Sequence, residues 1–314
     1  MTCVARRLAC LVAASAVTAA LTYALLRSIG LSGIVGIYHD LRWSIALGFP
    51  LLWLVASVAR AEMYRWLLER RVGMCGLVPL MWVRGLVVDL VPARMGLATI
   101  PAALRLVWGI EVSEGVGVLA GVTVVEFAAL GVLVLAVCTL APAPEVPMMH
   151  SMLIGVGAAL VIVLPAAVFL GRRAQALEGR GGFSATIAKL AVAVAALGRR
   201  DLVLTVMAWS LLTRLAKYAG LYVLVNSMPV PRLSPLSFLA AALAAEATTA
   251  LPIQGLAGVG TWEAAWVSAT TTIGFSTQDA VASAFGLHLA VLGWEILMGG
   301  IGLVVLVAIR RRNP

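Results

Sequence analysis

Apolar residues in this chain run in long unbroken stretches, not at the spacing of an amphipathic helix or an alternating strand. A bilayer crossing takes about 20 predominantly apolar residues, and stretches of about that length lie at Leu8–Leu26, Trp43–Ala59, Gly117–Ala141, Met149–Leu170, Leu202–Val225 and Ala280–Ile309. Two further stretches, Leu77–Val91 and Pro235–Leu251, are shorter. Each runs into a Pro- and Gly-rich break, Pro92…Gly96…Pro101 after the first and Pro252…Gly255…Gly258…Gly260 after the second. Lipid cannot hydrogen-bond backbone that has left the helix, so such breaks are tolerated only inside protein or beside a wet cavity. The pattern predicts an all-α polytopic membrane protein with about six full spans, plus two broken segments that are re-entrant or half-helices sharing an interior. The stretch from Arg60 to Arg71, with Met63, Tyr64, Trp66, Leu67 and Leu68 among charges, reads as an interfacial helix or as the solvated end of the second span.

Composition agrees with this. The chain of 314 residues is 62% hydrophobic and only 12% charged, far from the balance of a soluble domain. Its net charge of +9 points to headgroups and orientation rather than to nucleic acid, because the basic residues cluster in short loops between apolar runs. Arg6 and Arg7 before the first apolar run resemble the start of a signal peptide, but that run is long and lacks a small-x-small cleavage site, so a first span is expected. The cysteines Cys3, Cys10, Cys75 and Cys138 have no paired spacing and suggest neither a disulfide framework nor a metal site.

Lys and Arg set the orientation. With the N-terminus inside, fifteen fall on the inner side (Arg6 and Arg7; the four arginines of 60–71; the six Lys and Arg of 172–200; Arg310 to Arg312). Only three, Arg27, Arg42 and Arg232, fall outside. Both termini are therefore expected in the cytoplasm of a cell limited by this inner membrane. The two broken segments then enter from opposite sides, as in inverted repeats, where paired Gly/Pro-broken segments mark the central site of a transporter. The expected organisation is a single membrane domain, with a first half over 1–170, a cytoplasmic linker at 171–182 and a second half over 183–314.

Charges at membrane depth carry the chemistry, because each costs roughly 2.5–3.5 kcal/mol at a helix centre on insertion scales and needs a partner or a wet cavity. They are Arg84, Asp89, Arg94, Arg105, Glu126, Arg214, Lys217, Glu246, Glu263 and Glu295. Arg214 and Lys217 share one helical face and call for an anion, which is either a lipid phosphate or one of Glu126, Glu246 and Glu263. Arg94 sits in the first break, where an arginine fork suits phosphate. Glu263 opens a new helix after the second break, where a carboxylate also serves simply as a cap. His288 and Glu295 lie two turns apart on the last span and read as an interior pair or a proton-linked one. No H-E-x-x-H, G-x-S-x-G, D-x-D or P-loop occurs, and the histidines His39, His150 and His288 are scattered. Neither an enzyme nor a cofactor is expected, and Gly255 to Gly260 reads as close helix packing or site lining.

At the two breaks the sequence resembles the lysylphosphatidylglycerol synthase transmembrane (flippase-like) family, with patterns near P-x-R-x-G-E…R and P…GG-x-G-x-x-E. Here these read Pro92-Ala93-Arg94-Met95-Gly96-Leu97 with Arg105 downstream, and Pro252…Gly255…Gly258-Val259-Gly260-Thr261-Trp262-Glu263. Arg65-Trp66 and Glu126 match two further family features, and the likeness of span layout covers nearly the whole chain. Leu97 stands where the family has Glu. The sequence runs to Pro314, just after its last span, so the expectation is a stand-alone member without the synthase domain. The resemblance implies a translocator of lipids, whether anionic or aminoacylated phospholipid or a polyprenyl type. The expected site takes an anionic headgroup on Arg94 and Arg105, with Arg214 and Lys217, while Glu126, Glu246 and Glu263 balance those cations. A homo-oligomer or an envelope-enzyme partner is compatible with this. Competing readings are a secondary transporter of a small soluble anion and a non-transporting accessory subunit of an envelope lipid enzyme.

Overall fold

The computed structural model describes residues 36–90, 96–140, 147–177, 192, 194–195, 197–248 and 260–312, with the side chains at 147–153 and 174–177 left aside. The expected first span, Leu8–Leu26, and residues 178–182 of the expected linker lie outside them, whereas 171–177, also expected as linker, continue the helix Pro147–Leu177. The regular elements of the described residues are all helices: α1 Trp43–Ala46, α2 Gly48–Leu67, α3 Met74–Leu90, α4 Thr99–Trp108, α5 Val112–Leu140, α6 Pro147–Leu177, α7 Arg200–Ser227, α8 Pro235–Ala247, α9 Thr261–Thr272 and α10 Thr277–Arg312. Five stretches are long and apolar enough to cross a membrane: Trp43–Leu67, Val112–Leu140, Ile154–Arg173, Arg200–Ser227 and Thr277–Arg312. They match five of the six expected spans.

What faces outward confirms the class. Along α1 and α2 the exposed positions include Leu47, Leu51, Val55 and Val58, one continuous face at helical spacing. Along α10 they include Leu289, Ile296, Leu297, Leu303 and Val304, the last 70% exposed. A soluble helix turns its polar stripe outward, and apolar patches of this extent face another apolar phase. The chain is an integral membrane protein.

The chain divides into two compact units, Met1–Leu52 with Gly85–Gly96 and Tyr218–Leu297, and Trp53–Arg84 with Leu97–Lys217 and Met298–Pro314. In the second unit α5 and α6 form an antiparallel pair. Their backbones meet at glycines: a Cβ on Gly131 would lie 2.6 Å from the Gly157 carbonyl oxygen, and one on Gly157 would lie 3.0 Å from Leu135. Without a hydrophobic drive between helices in lipid, close van der Waals contact at small residues holds such pairs. The stretch between Arg71 and Glu114 leaves and returns to one place. Arg71 pairs with Glu114, Gly76 lies under the Trp108 ring, and Arg71, Val72, Trp108 and Ile110 line a common hollow of about 420 Å³. A 17-residue α3 rises about 25 Å, so this segment goes out and back. Gly109 ends α4 with φ 70°, a left-handed cap that glycine adopts without strain. The stretch after Arg60 is no separate surface helix: α2 continues to Leu67 with Met63, Tyr64 and Leu68 fully buried.

In the first unit the N-terminal end of α2 packs on α7, with Gly48 against Val223 and Gly220 against Phe49. Arg42 ties the segment before α1 to the end of α7 through the Asn226 carbonyl. The second broken segment is also a helical hairpin. Phe238 near the start of α8 packs edge-on against Trp266 of α9, ring centres 5.8 Å apart. From α9 the chain turns at Gly274, φ 104°, and α10 begins on a Ser276 cap that accepts from the Asp279 N–H at 3.1 Å.

Candidate functional site: charged clusters inside the helices

In the second unit four helices bring charge to one place. Glu126 lies in the middle of α5, in an otherwise apolar run. Arg60 of α2 donates from Nε to its carboxylate at 3.0 Å. Arg214 of α7 sends Nε and an η nitrogen to the Glu126 main-chain carbonyl at 3.1 and 2.7 Å. That oxygen has a second lone pair beyond the helix hydrogen bond, so a guanidinium fork docks there without breaking α5. Arg84 of α3, 9% exposed, interacts electrostatically with Glu126 and with the fully buried hydroxyl of Tyr64. Arg84 and Arg214 make further interactions as well. Arg60 and Tyr64 are four residues apart on α2 and so share a face.

In the first unit a second site is acidic. Glu263 is completely buried at the first turn of α9. One carboxylate oxygen accepts from the Gly260 N–H at 2.6 Å, and Gly260, with φ 105°, takes a conformation that favours glycine. The other oxygen lies 2.6 Å from His288 Nδ1 on α10. One turn along α9, Trp266 donates to Ser283 Oγ at 3.0 Å, and that hydroxyl donates to the Ala280 carbonyl. Trp262 stacks on Trp266 at 5.5 Å. The carboxylate of Glu295, two turns beyond His288, sits against Gly85 of α3, where any Cβ would collide with it.

The residues expected at the site are distributed as follows. Glu126 and Arg214 come together. Lys217 lies one turn along α7 from Arg214, half-buried. Glu246 is half-buried near the end of α8, and Lys217 and Glu246 both have interactions of their own. Arg105 is exposed at the end of α4 and donates to the Gly109 carbonyl at 3.2 Å. Gly96 touches the α3 backbone, a Cβ there falling 2.6 Å from Val88. Pro92, Arg94, Pro252, Gly255 and Gly258 lie outside the described residues. The sequence takes Arg60 only as a loop charge and Tyr64 only as interfacial, and does not bring His288 to Glu263. A mid-span carboxylate such as Glu126 demands a cation, and the i, i+4 pair of Arg60 and Tyr64 was the available signal.

The sequence matches the profile described as lysylphosphatidylglycerol synthase TM region over residues 11–300. The chain belongs to that family. No individually curated protein matches the chain closely enough to serve as a relative. Membership in the lysylphosphatidylglycerol synthase transmembrane-region family, together with the outward-facing apolar helices, fits a membrane protein of lipid metabolism or transport.

Proposed function

We propose that this family member moves an anionic lipid between leaflets, without catalysing a reaction, by passing its headgroup over the guanidiniums of Arg60, Arg84 and Arg214. The observation that carries the reading is the cluster on Glu126. Guanidinium forks recognise phosphate oxygens in two-pronged fashion, and a headgroup phosphate competes with Glu126 for the same donors. When the headgroup leaves, the carboxylate takes the cations back, so none is stranded in a low-dielectric interior. The out-and-back course of α3 with α4, and the hairpin of α8 with α9, supply two elements that rearrange while the long helices stay in place. On this reading the two hairpins are re-entrant from opposite faces as inverted repeats, and the Arg-rich ends at Arg70, Arg172, Arg199 and Arg310 mark the cytoplasmic side. The first break carries Arg94, a further phosphate ligand in this scheme.

The test is leaflet-resolved movement of labelled lipids in proteoliposomes. Wild-type protein is expected to move anionic phospholipid faster than a zwitterionic one. Arg214→Lys, which keeps the charge and loses the fork, is expected to slow that movement roughly tenfold, about 1.4 kcal/mol. Movement no faster than in protein-free vesicles overturns the proposal, as does equal movement of both lipids. Uptake of a soluble organic phosphate in place of lipid would establish small-anion transport.

A further inference from the structure

The Glu263–His288 pair has no part in headgroup binding as proposed above, yet Glu263 is completely buried and its contact with His288 joins two helices. Capping α9 takes only one carboxylate oxygen, the one on the Gly260 N–H. The other oxygen faces an imidazole nitrogen at 2.6 Å, a contact that needs a proton between the two atoms.

We propose that Glu263 and His288 form a proton-binding site, and that gain and loss of one proton there biases the second broken segment between two arrangements. With the proton bound, the pair is imidazolium and carboxylate and has no net charge. On release, His288 keeps Nδ1–H toward Glu263 while Nε2 gives up its proton, and the pair becomes a net negative charge. A lone negative charge among apolar helices is costly unless water reaches it. The cap at Gly260 and the α9 N-terminal dipole offset part of that cost, but the arrangement that admits water is favoured. The proton thus acts on the hinge itself, since Gly260 is the residue at which the broken segment re-enters its helix.

The same face of α10 carries the signal onward. Glu295 lies seven residues beyond His288, close to two full turns, and its carboxylate rests on Gly85 of α3, next in the chain to Arg84. One helix therefore touches α9 of the second broken segment and α3 of the first. The other titratable groups of the first unit on these elements are Tyr38, whose hydroxyl donates to the Gly286 carbonyl at 2.7 Å, Tyr218, which is buried, Tyr222, which packs on Phe238, Glu246 on α8 and Asp89 on α3. Asp279 and Ser276 form a separate cap at the start of α10. Glu246, Asp89, Glu295 and His288 itself each have further interactions; Glu263 and His288 are singled out as the exchanging pair by their 2.6 Å contact.

Coupling to lipid movement rests on the function proposed above, whereas proton binding does not, and two measurements keep them apart. The first is nitrogen-15 resonance of the full-length protein labelled at histidine; the sequence has only His39, His150 and His288, so single substitutions assign them. His288 is expected to change protonation state within the pH range over which the protein stays folded, and Glu263→Gln is expected to move that transition. A His288 signal that Glu263→Gln leaves unchanged, or that never titrates, overturns the proton site. The second is lipid movement under an imposed pH gradient. Wild-type rates are expected to change about fivefold or more with its direction, with Glu263→Gln and His288→Gln both insensitive. Lipid movement that ignores the gradient overturns the coupling. Titration of His288 in a protein that moves no lipid would uphold the proton site and sink the transport reading alone.

Discussion

The arginine cluster of the second unit and the Glu263–His288 pair of the first solve the same problem in different ways. Both place charge inside helices surrounded by apolar side chains. The cluster on Glu126 is built from within helices rather than at their starts: Arg60 and Arg214 come from the long helices α2 and α7, and Arg84 from α3, the first arm of the first hairpin. The acidic pair is built at a helix beginning, beside a break, with backbone N–H as one of its ligands. Fixed helices hold a constellation in place; a helix start next to irregular backbone can move with little loss of hydrogen bonding. On the two proposals above, recognition falls to the first site and switching to the second.

The sharpest way to break this comparison is to remove the anchor of the cluster. Glu126→Ala leaves Arg60 without its carboxylate partner in a largely buried setting, and the expected loss is about 3 kcal/mol or more. Thermal unfolding in detergent should show it as a fall in melting temperature, and a variant as stable as wild type would mean that Glu126 is not the cluster's structural centre. A smaller effect is expected in the first unit. Ser283→Ala takes away the acceptor of the Trp266 indole N–H and leaves a buried donor unsatisfied, for about 1–3 kcal/mol. The same unfolding measurement with Ser283→Thr as the conservative control separates the lost hydrogen bond from repacking.

The smallest effect appears only in alkali. Tyr38, outside the membrane-crossing helices, has its phenol pushed up to about 12 by burial, with its backbone hydrogen bonding pulling partly the other way. Its folded value is thus above the ordinary value near 10. The group's contribution to stability is complete below about pH 10 and is lost as pH rises from there through about 12. Tyr38→Phe should remove that alkaline loss, and ultraviolet titration of the phenolate should show one tyrosine fewer ionising late. Equal alkaline unfolding of both proteins would show that the segment before α1 is not tied down through this hydroxyl.

The sequence by itself determined the class, the five crossing helices among the described residues and where α3 and α8 give out. An apolar run of bilayer length is a one-dimensional property, and so is a Pro/Gly interruption. It also singled out Glu126, Arg214 and Glu263, because a charge in such a run is costly wherever it points. What only the tertiary structure decided is who meets whom. Arg60 belongs to Glu126 across 66 positions of chain, and His288 of α10 meets Glu263 of α9. Arg105, equally prominent in the sequence, ends on an exposed helix end bonded to its own backbone. Partner choice depends on how helices rotate about their axes and on where glycines let two backbones approach. That is settled by packing between distant segments, for which a pattern read along one helix holds no record.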